Sequence, residues 1–84
     1  MTITVKFFSL IREAVETEQL TLEMTDSLST VGALKNELSL RGGAWNEALS
    51  HPNLIQAVNQ RVVFQDEGIK DGDEVAFFPP MTGG

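Results

Sequence analysis

The residues best suited to chemistry stand at the end of the chain, in Pro79-Pro80-Met81-Thr82-Gly83-Gly84. Two prolines pre-set an extended backbone and make a stiff stem. Gly83 and Gly84 then form a tip with no side chains. Such a tip enters a cleft too narrow for any Cβ atom, and its carboxylate is open to attack from either side. The expectation is an extended tail, residues 79–84, threaded into another protein's active site. Pro79, Pro80, Met81, Thr82 and Gly83 would be the threading segment, and Gly84 the position that is modified.

The rest of the chain offers no competitor. His51 is the only His and precedes Pro52 in a polar stretch, where a lone His is ordinarily a solvated residue. There is no Cys, hence no thiolate nucleophile, disulfide framework or Cys-based metal site. None of Ser9, Ser27, Ser29, Ser39 and Ser50 lies in a nucleophile-elbow sequence. The carboxylates of Asp66, Glu67, Asp71, Asp73 and Glu74 do not follow the calcium-loop spacing, so no metal site is expected. Gly42-Gly43 lacks the Lys-Ser/Thr of a phosphate loop.

Eighty-four residues suffice for one small domain with a modest core. The formal charge is −6 with only six Lys and Arg, scattered along the chain. That argues against a nucleic-acid partner, which needs clustered cations. Acidity serves solubility, and it would also speed encounter with a basic partner protein. No apolar run approaches the ~20 residues of a membrane span, and the first residues lack the pattern of a signal peptide. The expected compartment is the cytoplasm.

The elements that must carry the tail follow from periodicity. Thr2 to Phe8 alternates, with Ile3, Val5 and Phe7 on one face, as in a half-buried strand. Ser9 to Val15 reads as a short helical turn. Gln19 to Met24 alternates again and suggests an antiparallel pair with the first strand. Ser29 or Thr30 caps a helix whose apolar face is Val31, Leu34 and Leu38. Gly42-Gly43 is expected to stop it through the left-handed conformation. Trp45, Ala48 and Leu49 suggest a second short helix ending near Pro52. Ile55 to Asn59 and Arg61 to Phe64 are strand-like, with Asn59-Gln60 as the turn, although Gln suits a turn poorly. Asp66 to Asp73 is a loop with a turn at Asp71-Gly72. Glu74 to Phe78 is the last strand, ended by Pro79-Pro80. The fold class is α+β, a sheet wrapped across one main helix, with residues 1–78 as the domain.

A docking surface is expected where the parity of the strands breaks. Phe8 is out of phase with Ile3, Val5 and Phe7, and Phe78 with Val75 and Phe77. Both should lie on the open face of the sheet, beside the exit of the tail. Val62 either joins them or is ordinary core. Arg12 would add a salt bridge at the rim or be simply solvated.

These residues also carry a resemblance. The stretch Asp71 to Gly84, DGDEVAFFPPMTGG, resembles the end of the small subunits of molybdopterin synthase, the MoaD family of ubiquitin-like sulfur carriers. Lys6-Phe7-Phe8 with Arg12-Glu13, Thr30-Val31 with Leu34, and Ala57-Val58-Asn59-Gln60 are similar to further family features. The family often has Gly soon after the Arg-Glu turn, where this chain has Glu16. The resemblance implies a β-grasp, ubiquitin-like fold. It further implies that an adenylating enzyme of the ubiquitin-activating type uses ATP on the Gly84 carboxylate, and that a thiocarboxylate follows. The tail would then dock into the large subunit of molybdopterin synthase, in a heterotetramer of two copies of each. There the sulfur would pass to a cyclic pyranopterin phosphate, two transfers building the dithiolene of molybdopterin. The chain itself would be a non-catalytic sulfur-donor subunit that binds no cofactor. Two other readings stay open from the residues: a carrier of the same chemistry for thiazole or another thiolated product, and an interaction module with an idle tail.

Overall fold

The computed structural model describes residues 2–51 and 53–79. Five strands form one mixed sheet: β1 (Thr2–Phe7), β2 (Gln19–Glu23), β3 (Ile55–Val58), β4 (Arg61–Val63) and β5 (Glu74–Phe78). Three helices accompany them: α1 (Ser9–Val15), α2 (Val31–Ser39) and α3 (Gly43–Leu49), with a 3₁₀ turn at Asp26–Leu28. The strand order is β2-β1-β5-β3-β4. β1 pairs antiparallel with β2 and parallel with β5, placing Phe7 opposite Phe77. This is the β-grasp arrangement, with the last strand at the centre of the sheet. No helix among the described residues is long and apolar enough to cross a membrane.

The core lies on the face whose parity the alternation predicted. Ile3, Val5, Phe7, Val75 and Phe77 are buried there, against Val31, Leu34 and Leu38 of α2. Full burial of each such side chain contributes about 1.5–3 kcal/mol. Ile11 and Val15 of α1 and Leu49 of α3 complete the cluster. Trp45 packs against Phe7 in an edge-to-face arrangement, ring centroids 5.3 Å apart, and carries the Arg41 guanidinium over its own ring.

α2 starts as its capping residues require. Thr30 is the N-cap, and its hydroxyl accepts from the Ala33 amide at 3.1 Å. A second acceptor comes from far along the chain: the Asp66 carboxylate takes the Gly32 amide at 2.6 Å. Adjacent backbone bonds, Val31 N–H to Glu67 and Ile69 N–H to Ser29, hold the loop in place.

Two expectations need correction, and the expected Asn59-Gln60 turn is present. Gly42-Gly43 does not stop α2 in a left-handed turn. The helix ends at Ser39 with a right-handed Leu40; Gly42 is extended at φ 160° and caps α3, which Gly43 begins. The chain needs a sharp change of direction between two helices there, which small residues allow without a left-handed turn. Among the described residues other than glycine, positive φ occurs instead at Ser9 (φ 51°), at the start of α1, at Glu16 (φ 54°), at its end, and at the hairpin pair Asn59 (φ 52°) and Gln60 (φ 69°). Positive φ at both central residues makes the β3–β4 turn type I′, so Gln60 occupies a position that Gly would fill at lower cost. Finally, the strands stop at Phe7, Glu23, Val58 and Val63, short of Phe8, Met24, Asn59 and Phe64.

The turn is secured by Asn59 rather than by Gln60. The Asn59 amide donates to the Glu74 carbonyl at 2.7 Å, and the Glu74 amide donates to the Asn59 side-chain oxygen at 2.9 Å. The Asn59 side-chain nitrogen donates to Asp73 at 2.9 Å. Asp73 also accepts from the Lys70 amide at 2.8 Å, across the turn in which Gly72 takes φ 87°. The Asn59 hydrogen bond, then the Lys70 amide, hold the Asp73 carboxyl below its ordinary value. The start of β5 is thus pinned, which sets the height at which its other end releases the tail.

Candidate functional site: the tail root and the open face of the sheet

β1 and β5 run side by side in the same direction, so their C-terminal ends coincide. From one end the chain turns into α1; from the other it continues through Pro79 into the tail. The Phe8 amide donates to the Phe77 carbonyl at 3.1 Å, extending the pairing by one residue. Phe8 and Phe78 stack at this junction, ring centroids 4.6 Å apart and planes within 7°. Both are half-buried rather than fully exposed, because each covers a face of the other.

The register continues the apolar surface across the open face. Phe78 pairs with Ile55, Ala76 with Ala57, and Ala57 with Val62. Phe8, Phe78 and Val62 therefore share one face, as the strand parity anticipated for the two aromatics. Val62 is 47% exposed, which places it on the surface rather than in the core. Lys6 and Glu74 form an ion pair at 3.2 Å on the same face. Arg12 lies on the exposed side of α1, one turn after Phe8, with no ion pair to a described residue.

Two further apolar residues belong to this surface and were not singled out from the sequence. Ile55 is the cross-strand partner of Phe78, and its position depended on a register that local pattern does not encode. Phe64 is 92% exposed, just past β4. Its parity with Val62 was the available signal. Gly84, with Pro80 to Gly83, lies outside the described residues; of the expected tail only Pro79 is described.

The arrangement has one chemical consequence. No clustered set of three or more metal-ligating side chains occurs among the described residues. What the fold provides is a paired root for the chain's C-terminal segment, flanked by an apolar face of the sheet. A model of the ThiS family matches residues 5–84. The chain belongs to that family. It is 44% identical over 82 residues to the molybdopterin synthase sulfur carrier subunit of Escherichia coli (strain K12), covering 98% of this chain and 99% of that one. The small archaeal modifier protein 1 from Methanosarcina acetivorans has the same fold, with a TM-score of 0.79 at 21% identity over 99% of this chain and 96% of that one. So does a chain in the complex of subunits 1 and 2 of molybdopterin-converting factor from Helicobacter pylori 26695, with a TM-score of 0.68 at 24% identity over the full length of both. The family resemblance drawn from the C-terminal motif thus extends over nearly the whole chain.

Proposed function

We propose that this protein is the sulfur carrier subunit of a molybdopterin synthase, and that Gly84 carries the sulfur. The observation that supports it most is the 44% identity, end to end, to a relative of that name. A carboxylate is a poor electrophile, so activation comes first. A Gly84 carboxylate oxygen attacks the α-phosphorus of ATP on an adenylating partner, and pyrophosphate leaves. A hydrosulfide ion from the sulfur source then adds to the acyl carbon, AMP leaves, and the sulfur-bound proton is lost to solvent. The resulting thiocarboxylate is ionised near neutral pH, and its anionic sulfur is the nucleophile, as in a Cys thiolate.

Docking on the large subunit delivers that sulfur to a cyclic pyranopterin phosphate. Tethering on a short tail gives the sulfur a high effective concentration beside the substrate. Phe8, Phe78 and Val62 form the docking surface, with Arg12 at its rim, and Pro79 to Gly83 are the threaded segment. ATP is consumed by the partner, and the reaction belongs in the cytoplasm. A stacked aromatic pair at the root of the tail suits this role, because buried aromatic anchors dominate interface energetics.

The test is the intact mass after co-expression with the adenylating enzyme and a sulfur source. Replacement of oxygen by sulfur adds about 16 Da to the chain. Its absence under conditions that activate a known carrier refutes the reading. Deleting Gly84 should abolish the mass gain and sulfur transfer while leaving the thermal transition unchanged. Recovery of a thiazole synthase instead of a large synthase subunit in a pull-down would move the chain to a different thiolated product.

A further inference from the structure

The chain turns abruptly where β1 ends. Phe8 is extended, at φ −124° and ψ 150°, and its amide continues the β1–β5 pairing to the Phe77 carbonyl at 3.1 Å. Its carbonyl already accepts from the amides of Ile11 at 3.1 Å and Arg12 at 3.4 Å, in the first turn of α1. One residue thus closes a strand and opens a helix. The change of direction falls on Ser9, the first residue of α1, which takes φ 51° where a helical residue ordinarily has about −63°. A residue with a Cβ atom reaches that region at a steric cost, which is highest for a β-branched side chain.

We propose that Ser9 is a positioning residue for docking: its positive φ holds the Phe8 ring on Phe78 and sets Arg12 at the rim. This role rests on the proposed docking of that face on the large subunit. Strain of this kind persists only where the surrounding contacts over-determine it. Two sets of contacts do so here. Ahead of Ser9, Phe8 is held by the Phe77 hydrogen bond and by its stack on Phe78, ring centroids 4.6 Å apart. Behind it, Ile11 and Val15 of α1 are buried in the core. A change of about 110° in that one angle, to the helical value, swings one set away from the other. The half-buried Phe8 ring is the weaker hold, because the two buried aliphatic side chains keep more apolar surface from water. Phe8 then leaves the stack while α1 stays on the core. Ser9 itself is exposed, and it lines the groove between α1 and α3 together with Pro79. The points at which β1 and β5 release the chain are therefore neighbours, and a change at Ser9 acts beside the tail root.

The test compares the two ends of α1. Ser9 and Glu16 are both exposed, at φ 51° and 54°, so Val at either position meets the same conflict. Ser9→Val and Glu16→Val should lower the melting temperature to a similar degree. Only Ser9→Val should weaken binding of the large subunit, by about tenfold, as for loss of an aromatic anchor. Only Ser9→Val should remove the nuclear Overhauser contacts between the Phe8 and Phe78 rings in the free full chain. In a Phe8→Ala background it should have no further effect on affinity, because it acts through that ring. Ser9→Gly should raise the melting temperature and keep the native ring contacts and affinity, which separates the backbone angle from the hydroxyl. If Ser9→Val does not fold, Ser9→Thr, also β-branched but with the hydroxyl retained, takes its place with the same expectations. Three results overturn the proposal: equal losses of affinity at Ser9 and Glu16, unchanged Phe8–Phe78 contacts in the Ser9 variant, or full additivity with Phe8→Ala. If the native chain does not bind a large subunit, the carrier reading fails, and the ring contacts of the free chain still decide whether Ser9 holds Phe8.

Discussion

Phe8 and Phe78 stack in parallel at 4.6 Å, at the point where two neighbouring parallel strands end together. One ring stands where the chain enters α1 and the other where it enters the tail, so the pair ties the tail root to the first strand. An offset or stacked aromatic pair contributes about 0.5–1.5 kcal/mol beyond its buried area. Here both rings stay half-buried, each covering a face of the other.

Phe8→Ala and Phe78→Ala should therefore weaken binding to the large subunit by at least about tenfold each, as expected for aromatic anchors. Each should cost less stability than Phe77→Ala, a core truncation of about 3–5 kcal/mol. Titration calorimetry and denaturant melts of the two single variants and the double variant measure both effects. A coupling of about 0.5–1.5 kcal/mol is expected in the stability cycle.

Gly32 and Asp66 are also coupled. A Cβ at Gly32 would come within 2.9 Å of the Asp66 Oδ1 that accepts the Gly32 amide. Asp66→Ala should cost about 0.5–2 kcal/mol, the worth of a helix N-terminal acceptor. Gly32→Ala gains helix propensity of about 1 kcal/mol but must displace the carboxylate. Its gain should be larger in the Asp66→Ala background than in the native chain. Equal effects in both backgrounds, measured by urea denaturation, would show that the carboxylate moves aside without loss.

Gln60→Gly and Glu16→Gly should both stabilise the protein. The left-handed conformation costs a side-chain-bearing residue about 1–2 kcal/mol, part of which Gly returns through its greater freedom in the unfolded chain. A net gain of up to about 1 kcal/mol is expected at each site, visible as a higher melting temperature. Gln60→Gly also puts a glycine directly after Asn59, and Asn-Gly is a preferred type I′ dipeptide.

Asp73 sets a pH dependence. Its folded carboxyl lies below the ordinary value of 3.8, held there chiefly by Asn59 and then by the Lys70 amide. A depressed carboxyl contributes stability that is fully present above the unfolded value and is lost as pH falls through the folded one. Asn59→Ala should flatten the acid side of the stability curve below about pH 4. It should also lower stability at neutral pH, since it removes hydrogen bonds to Glu74 and Asp73. Acid denaturation of the two proteins at several pH values provides the check.

The alternation of Ile3, Val5 and Phe7 against Phe8, and of Val75 and Phe77 against Phe78, was enough to assign the faces of two strands. A period of two is a local property of the backbone, and a residue one step out of phase must point the other way. The same holds for the helical face of Val31, Leu34 and Leu38. The tertiary structure alone decided that Phe8 and Phe78 touch. Their contact depends on a parallel register between segments at opposite ends of the chain, which no local pattern encodes. For the same reason Asp66 was unreadable as a cap for an amide 34 positions away, Ile55 as a neighbour of Phe78, and the α1–α3 groove as a feature of the tail root. Gly42-Gly43 misleads because a glycine pair signals a turn without saying whether it is left-handed; the packing of α3 against α2 settles that. Local chemistry determined which groups exist and which face each prefers, and only the closing of the sheet determined which of them meet.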